Sequence, residues 1–285
     1  MKLLLVRHLW GVTESMTTVI PKIKALGFGA IETGVLWLNA DDRATLKSLL
    51  ADHDLRLIPQ VFTGGFDPKA IRTPTVDLES LKKQIDDALT FNPLFINAHT
   101  GHDAWTLAEM REFYRGVTTL EKGLPVTVAH ETHRGRAFHS PWIVRELLPE
   151  FPGLKFTADF SHWCCVAERL IDDQIDIIKA VARQTHHLHA RVGHAQGPQV
   201  NDPRAPEWAE ALAAHERWWD IVWNAQEAAG FTTTTLTPEF GPAGYMPTLP
   251  FSNQPVADLW DICTWMAKRQ AERFAKRPNA AKATA

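Results

Sequence analysis

Four runs of this sequence end on a residue that can hold a cation or move a proton. Val126-Thr-Val-Ala-His-Glu131 ends on a carboxylate, Phe156-Thr-Ala-Asp159 on a second and Leu236-Thr-Pro-Glu239 on a third, while His186-His-Leu-His189 ends on an imidazole. α/β folds put their chemistry at the C-terminal ends of strands that feed helices or loops. If the four ends converge, three carboxylates and one imidazole form a hard, oxygen-rich site. Ligand softness then favours one divalent metal ion, Mn²⁺, Mg²⁺ or Co²⁺, with Zn²⁺ suited as well and Cu⁺ excluded. Taken singly each residue has a plainer explanation. Glu131 suits a solvated strand end, Asp159 a helix cap, His189 a satisfied core histidine and Glu239 a surface charge. Their recurrence at successive strand ends is what points to a metal centre.

Other residues near these ends suit substrate contacts. His162 follows Asp159 by three positions and either faces the metal centre or caps the helix that begins there. Arg191 lies two residues after His189 and shares its face of the strand, so it either pairs with Glu131 or Asp159 or binds a substrate oxyanion. His99 and His102 end a neighbouring strand. His133 and His187 are weaker candidates, because alternation along a strand turns some side chains into the wall. His8 and Trp10 follow the first strand, and Trp10 and Trp163 offer flat faces to the C–H side of a sugar. Cys164 and Cys165 fall within a helix and read as packing residues.

The elements that must position these groups alternate. Strands are predicted over 3–6, over a second run ending at Glu32, and over 55–62, 95–99, 126–131, 154–159, 187–192 and 232–239. Helices are predicted over 18–26, with Pro21 in its first turn, from Asp41 and Asp42 as caps through Leu50, and over 77–89, 107–120, 142–148, 166–181, 208–229 and 256–274. Eight strand–helix units in one α/β chain of this length give a single-domain (β/α)8 TIM barrel over 1–274, with a small, polar tail over 275–285 expected to lack order. A doubly wound sheet is the competing fold. It usually brings a Gly-rich phosphate turn after its first strand, and that turn here is His8-Leu-Trp-Gly.

Composition narrows the function. With 285 residues, 45% of them hydrophobic, the chain can bury a large core. A formal charge of −3 gives no pull toward nucleic acid or an anionic membrane. Three cysteines, two of them adjacent, make neither a disulfide framework nor a zinc motif, which fits a reduced, cytoplasmic setting. No run approaches the ~18 apolar residues of a membrane span. A small-molecule, sugar-like substrate is the expected partner, and a homo-oligomer is compatible with the sequence.

The chain up to about residue 274 resembles the xylose isomerase-like barrels, in particular their sugar phosphate isomerase/epimerase branch. The resemblance rests on Leu26-Gly-Phe-Gly-Ala-Ile-Glu32, Glu131, Asp159-Phe-Ser-His162, His189 and Glu239. In the family's ketose 3-epimerases the matching Glu, Asp, His and Glu bind one divalent metal. The two glutamates also serve as acid and base on the two faces of the substrate, and the Asp-x-x-His histidine contacts it. The resemblance thus implies catalytic roles for Glu131 and Glu239 and a substrate contact for His162.

One stretch departs from that pattern. The epimerases follow the strand-seven histidine with an acidic residue and, about six positions on, an arginine, whereas here Ala190-Arg191 follows directly. The family also holds hydroxypyruvate isomerases, inosose dehydratases and dehydroshikimate dehydratases. All take a proton from beside a carbonyl, so the reaction class is better specified than the substrate. Endonuclease IV belongs to the same superfamily, and its site would map onto His99, Glu131, Asp159, His162, His189, Asp202 and Glu239. Its Asp-x-His, however, reads Asp202-Pro-Arg204 here, and its third-strand histidine region reads Ile58-Pro-Gln-Val. A non-catalytic sugar-binding barrel is a third reading.

Overall fold

The computed structural model describes residues 1–65 and 69–277. Eight parallel strands close into one ring in chain order: β1 (Lys2–His8), β2 (Ala30–Gly34), β3 (Arg56–Phe62), β4 (Ile96–His99), β5 (Val128–Glu131), β6 (Lys155–Ala158), β7 (Thr185–His189) and β8 (Thr233–Thr237). The helices between them are α1 (Met16–Ala25), α2 (Ala40–Asp52), α3 (Pro74–Leu89), α4 (Leu107–Glu121), α5 (Pro141–Leu147), α6 (Phe160–Ala167), α7 (Ile175–Ala182), α8 (Ala209–Ala228) and α9 (Leu259–Ala275). This is the single-domain (β/α)8 barrel that the alternation predicts.

Alternation along the strands sorts side chains into two cores. Outward residues such as Ile31, Val61, Leu188 and Leu236 join the apolar layer beneath the helices. Inward ones fill the ring in tiers. Val6, Ala30, Ile58, Phe95 and Ala129 form a buried apolar plug. Two residues further along the same strands, the tier above is polar: Glu32 follows Ala30, Gln60 follows Ile58, Asn97 follows Phe95 and Glu131 follows Ala129. The plug therefore forms the floor of the site, and the polar tier forms the site itself.

Several local expectations are corrected. Helix α1 starts at Met16, so Pro21 lies inside it and not in its first turn. The cap of α2 is Asn39, whose side chain accepts from the Asp42 amide at 2.9 Å, while Asp41 and Asp42 occupy the first turn. The single helix expected over 166–181 is two. Glu168 adopts the left-handed conformation (φ 53°), with Arg169 N–H bonded to Cys164 O and Glu168 N–H to Cys165 O. That Schellman closure ends α6 with glutamate in the place glycine usually takes. The start of the tail is structured, because Ala275 belongs to α9 and Arg277 pairs with Glu227 at 2.8 Å. The rest of it, 278–285, lies outside the described residues.

Candidate metal centre and its cavity

Glu131 is the last residue of β5 and His189 the last of β7; Asp159 follows β6 directly and Glu239 stands two residues beyond β8. One donor atom from each of the four lies within 4.8 Å of the others. His189 Nδ1 is the hub, at 3.0 Å from Glu239 Oε2, 3.5 Å from Glu131 Oε2 and 3.9 Å from Asp159 Oδ2. The two readings of Asp159 prove compatible. Its Oδ1 caps α6, accepting from the Ser161 backbone N–H at 3.0 Å, and its Oδ2 faces the cluster.

Burial and mutual charge set the protonation of this cluster. Burial, assisted by the neighbouring Glu239 and Asp159 charges and opposed by His189, pushes the Glu131 carboxyl up to about 7. Burial also raises Asp159, against the pull of Arg191. Burial alone would lower His189, but the charges of Glu239, Glu32 and Glu131 lift it well above the usual histidine range.

The donor set fits a divalent ion. Glu131 Oε1 and His189 Nδ1 are fully buried and make no hydrogen bond. Orphaned polar atoms of that kind are costly unless something pairs with them. Three carboxylates and one imidazole are hard and borderline donors of the type that Mn²⁺, Mg²⁺, Co²⁺ and Zn²⁺ accept.

Sequence reasoning missed the residue that ties this centre together. Glu32, fully buried at the centre of β2, which runs on past the end expected there, accepts hydrogen bonds from His189, Gln60, Asn97, Thr237 and His187. Burial alone would raise its carboxyl, yet the His189 charge and the hydrogen bonds from His187 and His189 hold it well below the usual range. The motif Gly29-Ala-Ile-Glu32 was the available signal. Gln60 and Asn97, neutral amides inside strands, gave none.

Above the four-residue cluster opens a cavity of about 460 Å³, lined by aromatic side chains (Trp10, Trp37, Phe62, Tyr245) and by His99, His133, Arg191 and Glu239. His99 stacks on Phe62, with ring centroids 4.3 Å apart, and brings Nε2 to 3.1 Å from Glu131 Oε2. Burial, with the charges of His133 and Arg136, keeps His99 well below the usual histidine range. Tyr245, from the irregular segment after β8, has the guanidiniums of Arg191 and Arg134 4.9 and 5.0 Å from its ring centroid.

His162 does not cap α6, which Asp159 does. It lies behind the cavity wall, its Nε2 accepting from Arg191 at 2.6 Å and standing 3.8 Å from Asp159 Oδ2 and 3.9 Å from Glu131 Oε1. Two substrate-binding expectations are corrected. Trp163 is fully buried beneath the helices, its indole N–H donating to Phe138 O at 3.0 Å, so it has no face to offer a sugar. His8 is fully buried and turned toward α9, with Nε2 3.5 Å from Cys263 Sγ.

No family model and no curated protein sequence matches the chain. Solved structures do match its fold. A probable 3-DHS dehydratase of Bacillus anthracis superposes with TM-score 0.60 at 17% identity over 96% of this chain and all of that one. A D-tagatose 3-epimerase-like protein gives 0.61 at 14% over 96% and 97%. Endonuclease IV of Thermus thermophilus gives 0.58 at 12% over 95% and 98%. At these identities the likeness is one of fold: the chain shares the (β/α)8 barrel of these proteins over 95–96% of its length.

Proposed function

We propose that the chain is a divalent-metal-dependent isomerase or epimerase that takes a proton from the carbon beside a carbonyl in a sugar or related hydroxy-ketone. The observation that carries this reading is the convergence of Glu131, Asp159, His189 and Glu239 beneath a cavity of about 460 Å³, a volume within the usual small-molecule range of ~300–1,000 Å³. One divalent ion held by those four residues, preferably Mn²⁺, Mg²⁺ or Co²⁺, would supply positive charge where the substrate oxygen becomes negative.

The chain's own residues account for the rest. Glu239 takes the proton in this reading, supported by its position on the cavity wall. Glu131 lies behind His99, and a carboxyl near 7 suits a group that must both give and accept a proton at neutral pH. His99 and His133, both lowered by burial first, stay uncharged at neutral pH and act as hydrogen-bond partners for substrate hydroxyls. Trp10, Trp37 and Tyr245 close the sides and shelter the reacting carbon from water. A cytoplasmic location belongs to the same proposal; its support is three free cysteines.

A dehydratase would share the first proton transfer and then lose a β-hydroxyl. The endonuclease reading is less well supported, because Asp202 pairs with Arg204 at 2.7 Å outside the candidate cluster. The deciding experiment incubates ketoses, cyclitols and small hydroxyacids with the protein and Mn²⁺ in D₂O, read by proton NMR. Solvent deuterium at the carbon beside the carbonyl supports the proposal. Binding without turnover across the screen would leave a sugar-binding barrel and sink it.

A further inference from the structure

Glu32 touches the candidate centre only from below. Its Oε1 accepts from His189 Nε2 at 3.0 Å and from Asn97 Nδ2 at 2.9 Å, with Gln60 Nε2 at 3.2 Å. Its Oε2 accepts from Thr237 Oγ1 at 2.6 Å and faces His187 Nε2 at 3.4 Å. The amides reach past it. Gln60 Nε2 also lies 3.1 Å from Glu239 Oε1, and Asn97 Nδ2 lies 3.0 Å from Glu131 Oε2. Glu32 is therefore bonded directly to one of the four candidate ligands and linked through a single amide to two more.

A histidine has two ring nitrogens, and the hydrogen bond made by one decides what the other can do. With Nε2–H of His189 held by Glu32, Nδ1, the atom that faces Glu131, Asp159 and Glu239, is the nitrogen that can give up its proton and turn a lone pair toward a cation. We infer that Glu32 is the positioning residue of the centre. It fixes the Nε2–H tautomer of His189 and, through Gln60 and Asn97, aims Glu239 and Glu131 at the same point. Glu32, His187 and His189 lie close enough to be a cation site of their own. Both Glu32 oxygens, however, already accept from side-chain donors, which leaves Glu32 a partner of ligands and not a ligand.

This inference rests on the reading that the four residues above hold a cation, and its test separates the two. The full chain, labelled with ¹⁵N-histidine, is compared with Glu32→Gln by titration calorimetry with Mn²⁺ and by long-range ¹H–¹⁵N spectra of the Zn²⁺-loaded protein. His189 should carry its proton on Nε2 in the unsubstituted protein. Glu32→Gln should keep one site per chain and bind Mn²⁺ about 10–100-fold more weakly. Asp159→Asn, which removes a ligand, should lose more. Where Glu32→Gln fails to fold, Glu32→Asp keeps the charge one methylene short and should show a smaller loss. Unchanged affinity in the folded variant, or a His189 proton on Nδ1, overturns the role of Glu32. An unsubstituted protein that takes up no Mn²⁺ sinks the cation reading itself.

Discussion

Arg191 hydrogen-bonds Asp159 through the carboxylate oxygen that faces the cluster, Nη2 to Oδ2 at 2.5 Å. The same nitrogen donates to His162, Nε donates to Ser161 Oγ at 3.1 Å, and Nη1 stands 3.5 Å from Glu239 Oε2. A fully buried guanidinium thus shares two of the four candidate ligands. It offsets part of their mutual repulsion and is oriented by four side chains.

Removing that charge should be costly when no other cation is present. In Arg191→Met, Asp159 and Glu239 lose their buried counter-charge, which is worth about 3–5 kcal/mol when one partner of such a pair is deleted. Thermal unfolding in chelator should show the loss, and added Mn²⁺ should recover much of it. A variant as stable as the parent in chelator would show that the pairing contributes nothing.

Metal content is the next expectation. Protein purified without chelator should carry about one divalent ion per chain, and Asp159→Asn should carry far less. Elemental analysis decides it. Chelation should abolish turnover while the far-ultraviolet circular dichroism stays that of a folded barrel, since the apolar plug and outer core need no ion.

Protons should compete with the ion at Glu131. Its carboxyl is pushed up to about 7, chiefly by burial, so Mn²⁺ affinity should fall as pH drops below about 7. The sign for the ion-free chain is opposite. A carboxyl raised in the folded state favours folding fully below its unfolded value of 4.5, and that contribution disappears as pH rises through 7. Calorimetric titrations from about pH 5 to about pH 9 test the first, and chelator-treated melts over that range the second. Affinity independent of pH would remove Glu131 from the ligand set.

Much of this is legible in the sequence. The barrel follows from eight strand–helix alternations, and the meeting of Glu131, Asp159, His189 and Glu239 follows from barrel order, since β5 to β8 are consecutive neighbours. What was missed has physical reasons. Glu32 lies across the ring, and its role appears only when β2 and β7 face each other through the interior. Tyr245 sits in an irregular segment with no periodicity to read. Trp163 and His8 sit close in sequence to strand ends, yet their side chains turn toward the helices.

The two glutamates should separate by exposure. Glu131→Gln and Glu239→Gln should each lower turnover by ~10²–10⁴-fold, with metal content measured in both because glutamine ligates poorly. Solvent deuterium in the product should disappear first in Glu239→Gln, the glutamate that lines the cavity. Product free of deuterium from the unsubstituted protein would argue for a hydride shift instead.

The hydrogen bond from Thr237 to Glu32 joins residues 205 positions apart in the chain. β2, β3, β4, β5, β7 and β8 each lend a side chain to the network around it. No half of the chain contains that network, so full cation affinity should come only with the closed ring, although the four candidate ligands themselves lie on β5 to β8. In refolding from denaturant, helix content should return first and Mn²⁺ uptake last, when β8 docks beside β1. The bound ion would then serve as a clock for the closing of the barrel.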